Sequence, residues 1–229
     1  MAAEPPAVRE PRDEARAGLK PFDVGNNSCR LSMPRASVLV PLFVRGGRLH
    51  VWMTSRSQAL RTGAGEVCFP GGKRDPQDRD EVDTATREAE EEIGLPTGQV
   101  EVVCALFPVV SELTGLLVTP VVGFVEESFC PCPNPAEVSS AFAVPLDFFL
   151  RGKDHFAIRP PGRTAWIHKF NFVDPESGNF YHIWGLTATM AILVAVLALR
   201  KKPEFAVGFD TENPLPFFQQ SLDRCTSKL

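Results

Sequence analysis

The stretch Phe69 to Leu95, FPGGKRDPQDRDEVDTATREAEEEIGL, constrains this chain more than any other, because a paired-glycine segment runs straight into a strongly acidic helix. Glu88, Glu91 and Glu92 stand at i, i+3 and i+4, so a helix of 3.6 residues per turn brings their carboxylates onto one face. Three anions that close repel one another unless something neutralises them. A solvated acidic face is the ordinary meaning of a charge run. Here Val82, Ala85, Ala89 and Ile93 form an apolar stripe beside the acids, so the helix has one side for a core and another for ions. Arg87 precedes Glu91 by four residues and can pair with it. Gly94 supplies a left-handed cap, and Pro96 prevents the helix from continuing. Hard carboxylate oxygens suit Mg²⁺ or Mn²⁺, which bind through a few carboxylates, waters and a substrate's phosphate oxygens. A phosphate ester or anhydride is the substrate class that follows.

The segment resembles the signature of the Nudix hydrolases: glycine, five residues, Glu, seven residues, then REUxEExGU, with U a bulky aliphatic residue. REAEEEIGL, Arg87 to Leu95, fits the second half, with Ala89 at the first U position. The first half departs from the pattern. Counted from Gly72, Asp78 holds the place of the glutamate, and eight residues rather than seven separate it from Arg87. Upstream, WMTSRSQALRTGAGEVCFPGG, Trp52 to Gly72, is similar to the extra motif of the coenzyme A diphosphatase branch, with Thr54, Arg56, Ser57, Arg61, Gly65 and Phe69 in register. NPAEV at 134–138, VPL at 144–146 and IWGLTA at 183–188 extend the likeness over about 37–199.

That resemblance implies an α/β/α sandwich around a mixed β-sheet in a single domain at 37–200, and hydrolysis of the diphosphate of coenzyme A or its acyl esters. It makes Glu88, Glu91 and Glu92 the metal-binding and catalytic residues, with Mg²⁺ or Mn²⁺ as cofactor. Gly71 and Gly72 read as a tight turn that needs positive φ and as a place for phosphate to approach the backbone. Lys73 adds positive charge beside them, while Arg56 and Arg61 read either as contacts to the 3′-phosphate of coenzyme A or as surface residues. Glu137 reads as a further carboxylate of the site or as the acid of a helix start. Two rivals stay open: a hydrolase of NADH, ADP-ribose or similar diphosphates, and a catalytically weak module that binds acyl-coenzyme A, the latter prompted by Asp78 and the extra residue.

The chain's 229 residues suffice for one domain with a substantial core. A formal net charge of −4 argues against nucleic acid as the main partner. Six cysteines without CxxC spacing read as free thiols of a reducing interior rather than a disulfide or zinc framework. Gly185 to Leu199 is almost wholly apolar, but fifteen residues are too few for a transmembrane span, which needs about 20. A buried core helix is expected there, ended by Arg200 to Pro203. His50, His155, His168 and His182 form no recognisable constellation and read as core or surface residues.

Residues 1 to about 20, rich in Pro, Ala, Arg and Glu, read as a mobile arm. Strands are expected at 37–44, 49–54, 100–107 and 117–125, a short helix within 143–150, and a hairpin from 166–173 and 179–183. The tail, 203–229, should pack loosely through Phe205, Phe209, Phe217 and Phe218. It ends in Ser227, Lys228 and Leu229, a peroxisomal address for an import receptor.

Overall fold

The computed structural model describes residues 10–25, 33–160 and 166–226, with side chains to 223. The core is organised by two long, almost fully buried strands, β1 (Arg35–Arg45) and β2 (Arg48–Arg56). They pair antiparallel across the turn at Gly46 and Gly47, both with positive φ, as a two-residue hairpin demands. Strand β1 also runs parallel to β7 (Leu117–Phe124), so the sheet is mixed. Strands β3 (Val67–Cys68), β4 (Gly71–Lys73), β5 (Glu101–Ala105), β6 (Val109–Val110) and β8 (Val138–Pro145) complete eight strands. Alternate β1 residues serve opposite faces: Val40 and Leu42 join one core cluster, Leu39 and Phe43 the other.

The smaller cluster receives one helix, α2 (Glu81–Ile93), through Ala85, Ala89 and Ile93, all fully buried. This is the apolar stripe expected from spacing. The larger cluster receives α3 (Gly185–Leu199), whose Ala188 and residues 190–198 are buried. Among the described residues no helix is long and apolar enough to cross a membrane. Between β8 and α3 stands a second sheet of β9 (His155–Ile158), β10 (Ile167–Val173) and β11 (Phe180–Trp184), all antiparallel. Tyr181 of β11 stacks on Phe142 of β8 with centroids 3.6 Å apart, which locks the two sheets together. The architecture is therefore the expected α/β/α sandwich.

Three local expectations need correction. The supposed N-terminal arm contains a docked helix, α1 (Pro11–Leu19), while residues 1–9 lie outside the described part. Ala15, Gly18 and Leu19 recur at i, i+3 and i+4 and are buried, and α1 rests on α3. Its charges are used rather than solvated: Arg12 bonds Glu101 at 2.6 Å and Glu126 at 3.2 Å, Arg16 also bonds Glu101, and both guanidinium groups lie over the Phe124 ring. Arg200, after α3, donates to Ala17 O at 2.8 Å. The short helix expected within 143–150 is present as the 3₁₀ turn Leu146–Leu150, once residues 143–145 have finished β8.

The tail is more firmly seated than its composition implied. Phe205 stacks on His155 at 3.5 Å, and Phe218 of α4 (Leu215–Thr226) is buried. His155 Nε2 lies 2.9 Å from His168 Nδ1, and His168 Nε2 lies 3.3 Å from Val207 O. A carbonyl only accepts, so the His168 Nε2–H donates to it and His168 Nδ1 accepts from His155. These two histidines thus form a pair that the sequence reading did not contain, and it fastens the tail to β9 and β10. The Ser227–Leu229 address lies outside the described residues.

Helix α1 crosses α3 so closely that a Cβ on Gly18 would stand 2.1 Å from the Leu197 carbonyl oxygen. Gly18→Ala should therefore cost about 1–3 kcal/mol of stability, as overpacking does. Urea unfolding followed by circular dichroism measures this, and an unchanged midpoint would contradict the docking of α1.

Candidate active site

Helix α2 begins where Asp80 accepts from the amides of Val82 (3.0 Å) and Asp83 (2.9 Å), and ends at Gly94 in the left-handed region with φ 68°. These two caps fix which residues face the sheet edge. The glycine pair before the helix is not the tight turn expected from sequence. It forms β4, paired with Ser37 and Val38 of β1. Close approach explains both residues: a Cβ on Gly71 would lie 2.4 Å from Ser37 O, and one on Gly72 would lie 2.4 Å from the Glu88 carboxylate. Glycine 72 therefore makes room for an acid of α2 against the strand.

One guanidinium holds the acids of this region together. Arg87 donates through Nε and Nη2 to the two oxygens of Asp78 at 2.9 and 3.0 Å, and through Nη1 to Glu88 at 3.0 Å and Glu91 at 3.1 Å. Its Nη2 also donates to Lys73 O at 3.2 Å. Asp78, buried, further accepts from Asp75 N and Thr84 Oγ1, both at 2.8 Å. The Arg87 contact holds the Asp78 carboxyl well below its ordinary range, and Asp78 in turn raises Arg87. Asp78, the departure from the family signature, is thus the anchor of the arginine that spans Glu88 and Glu91.

Burial dominates the other two acids. It raises Glu88 above its ordinary value against the opposing effect of Arg87, with Glu91 and Glu137 adding to the rise. Glu92 is pushed up to about 7, chiefly by burial and further by Glu88 and Glu137; the Gly71 amide, donating to its Oε2 at 3.2 Å, and Arg56 pull the other way. Arg56 also acts on the Cys68 thiol, placing its charge beside the buried end of the cluster. Arg61 and Lys73 are exposed, and their side chains take no part in the Arg87 network. The sequence reading of a substrate subsite is thus brought together only for Arg56, Gly71 and Gly72.

Glu137 is not at a helix start. It lies in the turn before β8, and its charge reaches both Glu88 and Glu92. Ser57 holds that turn, donating its amide to Glu137 O at 2.8 Å and its hydroxyl to Pro135 O at 3.0 Å. A serine at the edge of the arginine-serine motif gave no hint of this; the match at NPAEV was the available signal.

The donor set is all carboxylate and the pile-up of buried charge is incompletely offset, which fits a small hard cation. Among the described residues no three His, Cys, Asp or Glu side chains already form a metal cage, because Glu88 and Glu91 turn to Arg87 and Glu92 to Gly71. Arg87 and the Gly71 amide supply part of the neutralisation that the crowded trio requires.

Residues 33–160 match the NUDIX domain. The chain belongs to the Nudix hydrolase family, whose members generally use divalent metals such as Mg²⁺ or Mn²⁺. It is 47% identical over 206 residues to a mouse protein named peroxisomal coenzyme A diphosphatase NUDT7, covering 89% of this chain and 87% of the mouse protein. An Arabidopsis thaliana protein, Nudix hydrolase 22, chloroplastic, is 41% identical over 183 residues, 77% of this chain but 59% of that longer protein. Among solved structures, the Mycobacterium smegmatis Nudix hydrolase RenU is 25% identical with a TM-score of 0.44, covering 55% of this chain and 79% of that one.

The raised affinity of Glu92 for protons sets a pH dependence. Between its ordinary 4.5 and about 7 the folded chain keeps a proton that the unfolded chain has lost, so stability falls as pH rises through that window. The full cost, on the order of 3 kcal/mol, is present above it. In chelator, Glu92→Gln should flatten this decline, and parallel stability profiles from pH 5 to 8 would contradict the assignment. Asp78 has the opposite sign, its contribution being lost as pH falls below 3.8.

Proposed function

We propose that this Nudix hydrolase cleaves the diphosphate of coenzyme A and its acyl esters, giving 3′,5′-ADP and 4′-phosphopantetheine or its acyl derivative. Glu88, Glu91 and Glu92 would hold Mg²⁺ or Mn²⁺. The observation that carries this reading is that the extra motif bears on the carboxylate cluster: the charge of Arg56 acts on Glu92, and Ser57 bonds to Glu137 O and Pro135 O and so holds the Glu137 turn. The mouse relative, matched over both the domain and most of the flanking chain, supports the substrate.

A phosphoanhydride resists attack because its oxygens are anionic, so charge neutralisation and alignment of water supply most of the catalysis. Bound divalent cations supply Lewis acidity toward the phosphate oxygens and acidify water. The chain's own residues do the rest. Arg56 contributes positive charge beside the cluster for the substrate's phosphates, and Gly72, lacking a side chain, lets the Glu88 carboxylate sit against β4. Glu92, the buried one of the three acids and held by the Gly71 amide, would take the proton of the attacking water. Asp78 keeps Arg87 from collapsing wholly onto Glu88 and Glu91.

For location, Ser227–Leu229 is the address read by a peroxisomal import receptor, in keeping with the name of the mouse relative. Deleting Leu229 should leave a tagged chain in the cytosol; retained peroxisomal import would remove this role.

Glu91→Gln and Glu92→Gln should each lower turnover at least about a hundredfold, as loss of a charge-stabilising group does. Mass spectrometry of products from coenzyme A, dephospho-coenzyme A and NADH tests the substrate. A clear preference for NADH would replace coenzyme A, and binding of coenzyme A without release of 3′,5′-ADP with either ion would make the chain a binding module.

A further inference from the structure

The segment 126–134 leaves β7 and passes the C-terminal end of α2 before reaching the Glu137 turn. Cys132 N donates to Ile93 O at 2.8 Å, and Asn134 N donates to Glu92 O at 2.9 Å, so the segment satisfies the last carbonyls of the acidic helix. Asn134 O then accepts from the amides of Glu137 (2.9 Å) and Val138 (2.8 Å). One strap thus sets both the end of α2 and the position of Glu137. Phe129 anchors its start edge-on against Trp52.

The strap carries two thiols either side of one proline, Cys130–Pro131–Cys132, and both are exposed. The Cys132 side chain lies against the helix cap, since a Cβ on Gly94 would be 3.3 Å from its own Cβ. Cys68 and Cys104 contrast with this pair. Burial pushes their thiols up to about 11 and about 12, which keeps them protonated and inert at neutral pH.

We propose that Cys130 and Cys132 are an oxidation site for a hydroperoxide, and that the disulfide they form lowers turnover by displacing the strap. With hydrogen peroxide, the thiolate of one cysteine attacks an oxygen, the O–O bond breaks, and a sulfenic acid and hydroxide result, the hydroxide taking a proton to leave as one water. The thiolate of the other then attacks that sulfur and expels hydroxide, which takes a proton and leaves as a second water. Two thiols are oxidised by two electrons and one peroxide is reduced. Residues two apart in an extended chain have Cα atoms roughly 7 Å apart, whereas a disulfide holds them at about 4.4–6.8 Å. Ring closure fixes the Cα separation of Cys130 and Cys132 within that range, and the strap's bonds to Ile93 and Glu92 take up the adjustment. The effect on turnover rests on the catalytic reading above; the bond itself does not.

The test treats the full-length chain with hydrogen peroxide and maps its peptides by mass spectrometry, with turnover followed in parallel. The expected result is a peptide spanning both cysteines that is lighter by two hydrogens, a loss of turnover of about tenfold, as small misplacements of catalytic groups produce, and recovery of both with dithiothreitol. Cys130→Ser and Cys132→Ser should each keep basal turnover and be insensitive to the oxidant. Bridges to any other cysteine, sulfinic acid in place of the disulfide, or disulfide formation with unchanged turnover would overturn the proposal. The peptide mass is read without substrate, so a wrong assignment of coenzyme A would leave that result standing.

Discussion

A single guanidinium shared among three carboxylates is the interaction on which the rest of this site depends. Arg87 is gripped from one side by Asp78, through two parallel hydrogen bonds, and from the other it reaches Glu88 and Glu91. Paired nitrogens on paired oxygens make the Asp78 contact the most directional of the three. Coulomb attraction toward the glutamates is thereby balanced, and the positive charge stays at the flank of the acidic helix. Glu92 lies beyond the reach of Arg87, and burial makes its negative charge costly. The uneven distribution is what leaves an all-oxygen cluster with a demand for further positive charge.

The fold supplies this arrangement through close contacts rather than through many residues. Gly71 lets β4 pair with β1, and Gly72 lets Glu88 lie against β4, so the acidic helix and the strand meet without intervening side chains. Fully buried Ala85, Ala89 and Ile93 fix the rotation of α2 against Leu39, Phe43 and Trp52. On the opposite face of the sheet, α1, α3 and the small sheet bury the same strands, so β1 and β2 have little freedom to shift. Arg56 and Ser57, at and just beyond the end of β2, inherit that rigidity and pass it to the Glu137 turn.

Much of this was legible in the sequence where the determining contacts are local. The stripe of α2, the glycine cap, the β1–β2 hairpin and the buried character of α3 all follow from spacings within a few residues. What was missed depends on distant partners. Helix α1 resembles a disordered arm in composition, yet its arginines find Glu101 and Glu126, 85 to 114 residues away. Strand β8, VSSAFAVP, has a weak pattern and is made a strand by pairing with β2. Asp78 looked like a defect in the signature because its partner, Arg87, comes into view only when the loop with its extra residue folds back. The histidine pair unites two strands thirteen residues apart with the tail.

The central claim is that the carboxylates of α2 exchange part of their pairing with Arg87 for a divalent ion while Asp78 retains the arginine. Anomalous scattering from a crystal of the protein grown with Mn²⁺ and a non-hydrolysable diphosphate tests it most directly. The account predicts manganese bounded by Glu88, Glu91 and Glu92, with the Asp78–Arg87 pair intact. Manganese located elsewhere, with Glu88 and Glu91 still held by Arg87, would contradict it.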